Sequence, residues 1–455
     1  MKLTGWRWFA VSSTLLTTLA AAGTRPQYGG TLRAATHITL ASLDPADTSQ
    51  PDSLARRNLT RLMFDTLVTL DTRGRLEPGL ATSWQAEPGN QRWLFRLRRG
   101  VRFHDGSYVT PEAVAASLRA ANPAWSVLPA ADSVVIECAA AAPDLPAELA
   151  EARNAIAKRG AEIILGTGPF RIADWQPGKK LTLAEEDGYW GGRAFLDAIE
   201  IEMGKGIRDQ LMTLDVGRMD VAEVGPEQAR RSATAGGRVV SSAPVETLSL
   251  VFARDLRSEE EGKQREALAL SIDRASIRSV VLQSTGESTA AILPDWISGY
   301  AFVFPAKQDL ARARQELGDV RQLAPWTLGY DTGDPLARVI AERIALNARD
   351  ARLALQTTTS ANPDLRLIRM HLASTNARLA LAAVAASLGL PVPHPNGHSV
   401  DDLYQSENEL LRTQRLIPLF HLPAGYALSP AVRNWSQDQD GSWHLGDVWL
   451  GGAKP

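Results

Sequence analysis

The feature that most constrains this chain is the alternation of strand-like and helix-like segments along its length. Residues 31–36 and 67–70 have strand-like composition, and 51–64 between them carries apolar residues at helical spacing. Further along, 170–175 is strand-like, and 377–388 is an Ala- and Leu-rich helix ended by glycine and proline. This order predicts an α/β architecture with more than one sheet.

Local signals sharpen this prediction at two places. Residues 92–97 mix polar and apolar side chains as a half-buried strand does. A helix is expected to begin after Thr110, because Thr is a good N-cap and Pro111 suits the first helical position. Residues 262–282 and 308–317 also have helical character.

Charge and cysteine content exclude several classes of protein. The chain has 455 residues with 49 Lys and Arg against 51 Asp and Glu, so no summed field attracts nucleic acid or an anionic membrane surface. Nucleic acid is therefore not an expected partner. Cys138 is the single cysteine, so the chain can form neither an internal disulfide nor a thiolate metal cluster.

The first 22 residues predict a secretory signal peptide. Lys2 and Arg7 precede an apolar stretch at 8–19, and small residues at 20–23 suit cleavage after Ala22. No cysteine follows the apolar stretch, so we expect a soluble periplasmic protein and not a lipoprotein. An uncleaved anchor is the alternative.

Three patterns imitate catalytic or metal sites. Gly286-Glu287-Ser288 imitates a nucleophile elbow, but its last glycine is missing and Pro294 follows too soon for the long helix. His394 and His398 lie four apart in a proline-rich loop, and 436–447 imitates a calcium loop with two ligand types substituted. We therefore predict no enzyme activity, no metal and no cofactor.

A series of motifs occurs in a fixed order along the chain. They are Tyr28-Gly29-Gly30, Leu43-Asp44-Pro45, Phe64-Asp65-Thr66-Leu67, Pro78-Gly79-Leu80-Ala81, Phe103-His104-Asp105-Gly106, Gly166-Thr167-Gly168-Pro169-Phe170 and Gly188-Tyr189-Trp190. In this series the chain resembles the periplasmic solute-binding proteins of peptide and nickel ABC transporters, bacterial extracellular solute-binding protein family 5. Most of these residues have plain packing roles, so the resemblance indicates the fold better than a site.

The resemblance implies an α/β, two-lobed periplasmic binding protein fold of class II-like type, hinged by two crossing segments. An extra third domain is expected within the first lobe. Carried over, the first lobe comprises 23–47, 164–255 and 430–455, the extra domain 48–163, and the second lobe 256–429. Closure of the hinge would bury the solute and present a closed shape to the transporter.

The resemblance also points to ligand-contacting positions. They are Thr39, Leu40, Ala41 and Ser42 before the Leu-Asp-Pro motif, then Thr247, Leu248 and Phe252 near the first crossing, and His421 and Tyr426 at the second. Ordinary packing is an equal alternative for each. Two departures bear on specificity: 250–254 lacks an asparagine common in relatives, and 367–395 lacks the signature near which peptide binders place an aspartate for the amino terminus.

The implied function is capture of a small solute, with a peptide favoured, and its delivery to an inner-membrane ABC permease by a monomeric protein. A non-peptide binder, such as one for a metal chelate or a sugar, is the first alternative. A binding module for sensing or assembly is the second.

Overall fold

A computed structural model describes residues 25–50, 52–71, 73–160, 163–234, 237–318, 320, 323–372, 374–392 and 399–451. The predicted signal peptide at 1–22 and the loop that holds His394 and His398 lie outside these residues. Within the described part, no helix is both long enough and apolar enough to span a bilayer.

Strands and helices alternate along the described chain. The strands are β1 Thr31–Ala35, β2 Val68–Leu70, β3 Leu76–Pro78, β4 Ala81–Ala86, β5 Arg92–Leu97, β6 Ser126–Ala130, β7 Ser133–Glu137, β8 Lys158–Arg159, β9 Ile164–Leu165, β10 Phe170–Gln176, β11 Lys180–Glu185, β12 Ala198–Glu202, β13 Val221–Glu223, β14 Arg238–Phe252, β15 Glu287–Ser288, β16 Trp326–Gly329, β17 Leu355–Thr358, β18 Leu365–His371, β19 Leu416–Leu428, β20 Val432–Arg433, β21 Ser436–Gln437, β22 Trp443–His444 and β23 Trp449–Leu450. The helices are α1 Leu54–Met63, α2 Pro111–Ala121, α3 Leu145–Glu148, α4 Ile207–Asp215, α5 Pro226–Thr234, α6 Glu259–Ser271, α7 Arg274–Ser276, α8 Asp295–Ser298, α9 Leu310–Glu316, α10 Pro335–Asp350, α11 Ala377–Ser387 and α12 Val400–Arg412. Single turns of 3-10 helix lie at Ala152–Asn154 and Ala301–Val303, and a π-helical turn lies at Ile277–Val281.

The local predictions hold at most positions. β5 has the predicted limits, and the Thr110 side chain accepts a hydrogen bond from the Ala113 amide as the N-cap of α2. The helix predicted over 262–282 is wrong as a single element. α6 ends at Ser271, and the Asp273 carboxylate caps a new turn by accepting from the Ser276 amide at 2.9 Å.

The largest sheet in the described chain has 11 strands and two unlike halves. One half has the order β10-β11-β12-β1-β13 and the other the order β18-β16-β17, with β19 and β14 between them and β15 on β19. We call the first half with its helices the first lobe, and the second half with its helices the second lobe. Each lobe has its own buried apolar cluster. The structure thus confirms the predicted α/β class, with two lobes and an extra unit.

β14 and β19 are long strands that belong to both lobes. Residues 238–241 of β14 pair with 425–428 of β19 in the first lobe, and 246–251 pair with 416–422 in the second. The register shifts around Pro244, which faces Pro423. Because proline cannot donate a ladder hydrogen bond, the ladder is interrupted where the strands pass between lobes. In both strands this passage comes before the predicted lobe limits, which are residue 255 after β14 and residue 429 after β19. The domain limits themselves stay a prediction.

A second, four-stranded sheet with the order β4-β5-β7-β6 packs with α2 and α3 around a separate core. We call this part the inserted unit. It meets the first lobe at a cluster that we call the junction, defined by Asp65, Gly166, Thr167, Gly168 and Trp190.

The junction is closely packed. The Asp65 carboxylate accepts hydrogen bonds from Thr167 Oγ1 at 2.9 Å, the Tyr189 hydroxyl at 2.9 Å and Trp190 Nε1 at 2.8 Å. A Cβ on Gly166 would lie 1.8 Å from the Met63 carbonyl oxygen. The Gly-Thr-Gly motif is therefore needed to bring β10 against the end of α1.

Candidate functional site

The parallel strands in the two halves of the main sheet run in opposite directions, so their carboxyl ends face each other. β13 is parallel to β1 and antiparallel to β19, and its last residue, Glu223, lies opposite Tyr426. β18 runs antiparallel to β14, so its last residue, His371, lies opposite Glu246 next to the passage. Ligands of parallel sheets bind outside the carboxyl ends of the strands. The space between these facing edges, which we call the cleft, is therefore the candidate site.

The first-lobe edge of the cleft presents an ordered imidazole. The His37 ring lies just after β1, and its Nδ1 is 2.8 Å from Glu223 Oε2. The same carboxylate accepts from the His37 amide, Thr36 Oγ1 and Gln210 Nε2. Burial alone would raise the pKa of Glu223, but the hydrogen bonds from His37 and Gln210 hold it below its usual value.

The second-lobe edge presents a guanidinium. Arg369 in β18 places Nη1 3.4 Å from Glu246 Oε2 and Nη2 3.1 Å from Asp334 Oδ2. Asp334 follows β16 and is also the N-cap of α10. Burial raises the pKa of Glu246, while Arg369 and His37 act to lower it. Opposite charges on His37 and Glu246 attract each other across the cleft.

The predicted segment 39–42 lies on the first-lobe edge, and three of its backbone groups already have partners. The Leu40 carbonyl accepts from the Gly178 amide at 2.7 Å, and Gln50 contacts the Ala41 amide at 2.8 Å and the Ser42 carbonyl at 3.1 Å. Thr39, Leu40 and Ala41 line a cavity of about 310 Å³ together with Gln50 and the turn at Gly178. Leu40 itself is buried. Their contact with ligand stays a prediction.

Four further predicted residues lie in the second lobe and are buried there. Phe252 packs at 4.0 Å under the Arg265 guanidinium, and Leu248 belongs to the same apolar core. The Thr247 hydroxyl contacts the Ser249 hydroxyl at 3.2 Å. The His421 Nε2 atom lies 3.1 Å from the carbonyl oxygens of Ala291 and Ile292, so it donates to them, and burial lowers the pKa of the ring to about 4. The structure gives each of these four a packing role, and none of them is brought to segment 39–42.

Tyr426 is the one predicted strand residue that pairs within the first lobe. It lies opposite Glu223 in the β13–β19 pair and packs against Trp435 and Trp443, with ring centroids 5.9 and 5.5 Å away. Asn58 Nδ2 approaches the Tyr426 hydroxyl at 3.5 Å. The residue is buried, so the aromatic cluster forms the floor of this edge.

Two of the imitated motifs have structural roles. Glu287 and Ser288 form β15, which pairs with β19, so this segment does not have the strand-turn-helix shape of a nucleophile elbow. Asp438 and Asp440 both contact Arg61, at 3.2 and 2.8 Å. A guanidinium therefore takes the position between the two carboxylates of the imitated calcium loop.

Comparison with known proteins agrees with this geometry. The family model described as bacterial extracellular solute-binding proteins, family 5 (middle part), matches residues 75–362, which is more than half of the chain. This chain belongs to that family. Family 5 proteins are solute-binding proteins, so the predicted family and general role are confirmed.

Individual relatives are distant in sequence. The probable D,D-dipeptide-binding periplasmic protein DdpA of Escherichia coli is 23% identical over 329 residues, which are 65% of this chain and 63% of DdpA. The nickel-binding protein NikA of Staphylococcus aureus is 22% identical over 358 residues, 74% of this chain and 71% of NikA. Thus the match spans about two thirds of these relatives' length.

Solved structures share the fold over nearly the whole chain. NikA of Staphylococcus aureus in complex with Ni(L-His)2 gives a TM-score of 0.78 at 17% identity, covering 92% of this chain and 100% of that one. OppA of Haemophilus influenzae in complex with the peptide RPPGFSPFR gives 0.77 at 17% identity, covering 94% and 100%. At this level of identity the likeness shows the fold.

Sequence reasoning missed the charged residues of the cleft. His37, Glu223, Glu246, Asp334 and Arg369 come from five separate segments and form no motif. A weak signal exists, because His37 lies two residues before the predicted segment and Glu246 directly precedes Thr247. Only the strand register shows that both positions border the same space.

Proposed function

We propose that this chain is the solute-binding component of an ABC import system, exported to the periplasm, which captures a small solute between its lobes and delivers it to an inner-membrane permease. The observation that carries the proposal is the pair of facing sheet edges, each with charged side chains at the ends of parallel strands. A solute held there would contact both lobes at once, so binding and closure would be coupled.

The interrupted ladder of β14 and β19 is the proposed hinge. Pro244 and Pro423 face each other where the strands pass between lobes, so residues 242–245 and 422–424 have fewer ladder hydrogen bonds to lose on bending. We retain the predicted division into two lobes and an extra domain at 48–163, but place the limits of the second lobe at this hinge and no longer at 256 and 429. The protein works as a monomer without enzyme activity in this proposal.

A peptide is the favoured cargo, because DdpA is described as a dipeptide-binding protein and OppA is solved with a peptide. NikA, solved with Ni(L-His)2, supports the alternative of a non-peptide cargo on the same scaffold. The Leu40 carbonyl, the Ala41 amide and the Ser42 carbonyl already have hydrogen-bond partners, which favours a ligand recognised through side chains over one that adds a strand there. Thr39, Ala41 and Tyr426 are the predicted residues closest to the proposed site.

The test is thermal unfolding of the chain from Gly23 onward against short peptides, sugars, metal chelates and small organic acids. A ligand that binds only the folded state stabilises it by about 2.7 kcal/mol at a concentration of 100 Kd, so the melting temperature rises. A rise in melting temperature with one class of compound identifies that class as the cargo. A melting temperature that no class of compound changes would contradict solute capture.

A further inference from the structure

Two nitrogen-bearing side chains face the cleft, and each is held from behind by carboxylates. The His37 side chain is 58% exposed, whereas its partner Glu223 is 15% exposed. Arg369 is 39% exposed, whereas Glu246 and Asp334 are 17% and 25% exposed. The carboxylates are thus the more buried member of each pair, and the groups presented to solvent are an imidazole and a guanidinium.

The exposed groups also have unused hydrogen-bonding capacity. A carboxylate can only accept, so His37 Nδ1 carries the proton that Glu223 binds, and Nε2 has no partner among the described residues. Arg369 uses two of its five N–H groups on Glu246 and Asp334, which leaves three. Glu223 already accepts from His37, Thr36 and Gln210. When the His37 ring is protonated its Nε2 is a donor as well, so the cleft then offers donors to a ligand more readily than acceptors.

Resting on the proposed function, we infer that the cleft recognises a carboxylate of its solute by holding it between His37 of the first lobe and Arg369 of the second. A guanidinium matches the two oxygens of a carboxylate, and the charge strengthens each hydrogen bond. Carboxylates behind His37 and Arg369 fix their orientation before the ligand arrives. The cargo is thus a small carboxylate-bearing solute, either a peptide with a free carboxyl terminus or a non-peptide organic acid.

The placement of the two donors on different lobes links recognition to closure. His37 and Arg369 repel each other when both are charged, since they carry like charges, and this repulsion acts to lower the pKa of His37. A carboxylate between them replaces this repulsion with two attractions, and it can do so fully only when the lobes are together. The ligand therefore favours the closed form by its own charge.

The same arrangement predicts a pH dependence of affinity. His37 faces Glu223 on β13, Glu246 on β14 and Arg369 on β18. The hydrogen bond to Glu223 raises the pKa of His37 above 6.5. A carboxylate with a pKa of about 4 is ionised throughout the range 5.5 to 8.5, and of the two proposed donors only the His37 imidazole changes charge there. Affinity is expected to be highest at pH 5.5 and to fall as pH rises through the His37 pKa.

Isothermal titration calorimetry with paired probes tests the inference: Ala-Ala against Ala-Ala amide, and succinate against succinamide. Each amide keeps the shape of its acid and removes the charge. We expect each acid that binds to do so at least about tenfold more tightly than its amide, which corresponds to about 1.4 kcal/mol. Binding of Ala-Ala would identify a peptide source of the carboxylate, and binding of succinate alone a non-peptide source.

Substitutions at His37 and Arg369 test whether these two residues cause the difference in affinity between acid and amide. His37→Gln and Arg369→Gln should each weaken binding of the acid about tenfold, Arg369→Lys should keep part of the affinity, and His37→Gln should remove the pH dependence. Arg366→Gln is the matched control, because Arg366 lies on the same strand and contacts the Ala361 carbonyl outside the cleft. Equal affinity for acid and amide, or unchanged affinity in both variants, would overturn the inference while leaving solute capture intact. Failure of the whole compound library would instead remove the proposed function and this inference together.

Discussion

The junction and the cleft are both built around carboxylates, but they differ in what those carboxylates leave free. At the junction, the Asp65 carboxylate accepts hydrogen bonds from Thr167, Tyr189 and Trp190, and the glycines allow close backbone packing. In the cleft, buried carboxylates hold His37 and Arg369 while unused N–H and ring nitrogen positions face outward. The first arrangement can only stabilise the fold, whereas the second can bind.

Because of this difference, we expect substitutions in the two regions to change different quantities, unfolding free energy at the junction and ligand affinity at the cleft. Changes at the junction should alter the free energy of unfolding and leave ligand specificity alone, since no free donor faces solvent there. Changes to His37 and Arg369 should alter affinity more than unfolding, since both side chains are partly exposed.

The largest expected effect is that of Gly166→Ala. The added Cβ would lie 1.8 Å from the Met63 carbonyl oxygen, which is backbone and cannot rotate away. We expect the variant to lose at least about 3 kcal/mol of unfolding free energy in urea titrations. Gly188→Ala is the matched control, because its nearest neighbour is a Glu186 side-chain atom at 3.6 Å. Equal urea midpoints for the two variants would show that the junction is not tightly packed.

The next effect is a pH dependence of stability from Asp65. Burial raises the pKa of Asp65 to about 6, against the hydrogen bonds from Trp190, Thr167 and Tyr189. The folded state then binds a proton that the unfolded state has released, so this stabilising contribution is present below pH 4 and lost as pH rises through 6. Its size is at most about 3 kcal/mol.

Asp65→Asn removes the titration, so the measurement is the difference in unfolding free energy between wild type and this variant from pH 4 to pH 7.5. The wild type should lose unfolding free energy relative to Asp65→Asn as pH rises. A shift in the opposite direction would mean that the three donors outweigh burial and keep the carboxylate ionised. Either way the junction would still be distinguished from the cleft, where the titrating group is His37.

The two regions also differ in how far sequence predicts them. Gly166 and Gly168 occur in a recognisable motif, because a contact with backbone tolerates no side chain and so demands one residue type. The limits of β5 and the Thr110 cap were likewise predictable from local propensity. These are properties of short segments, and the fold class follows from their order.

The cleft could not be derived in the same way. Glu246 and His371 become neighbours only through the antiparallel pairing of β14 and β18, and Glu223 approaches them only because β19 pairs with both β13 and β14. The predicted positions Phe252 and His421 are in the right strands, yet alternation of side chains places them in the second-lobe core. Strand identity was predictable; the face and the register were not.

The smallest expected effect concerns a contact between the inserted unit and the second lobe. Asp144 in the inserted unit lies 2.6 Å from Arg378 and 3.0 Å from Asn376 Nδ2, both at the start of α11 in the second lobe. The Asp144 and Arg378 side chains are 25% and 23% exposed, so Asp144→Asn should cost no more than about 1 kcal/mol in urea titrations. The loss of this bridge should nevertheless favour separation of the lobes, visible as a larger radius of gyration in small-angle X-ray scattering. Asp187→Asn, at an exposed pair with Arg193 in the first lobe, is the control that should change neither quantity. A stability loss comparable to that of Gly166→Ala, with no change in radius, would instead place this contact with the junction as a purely structural one.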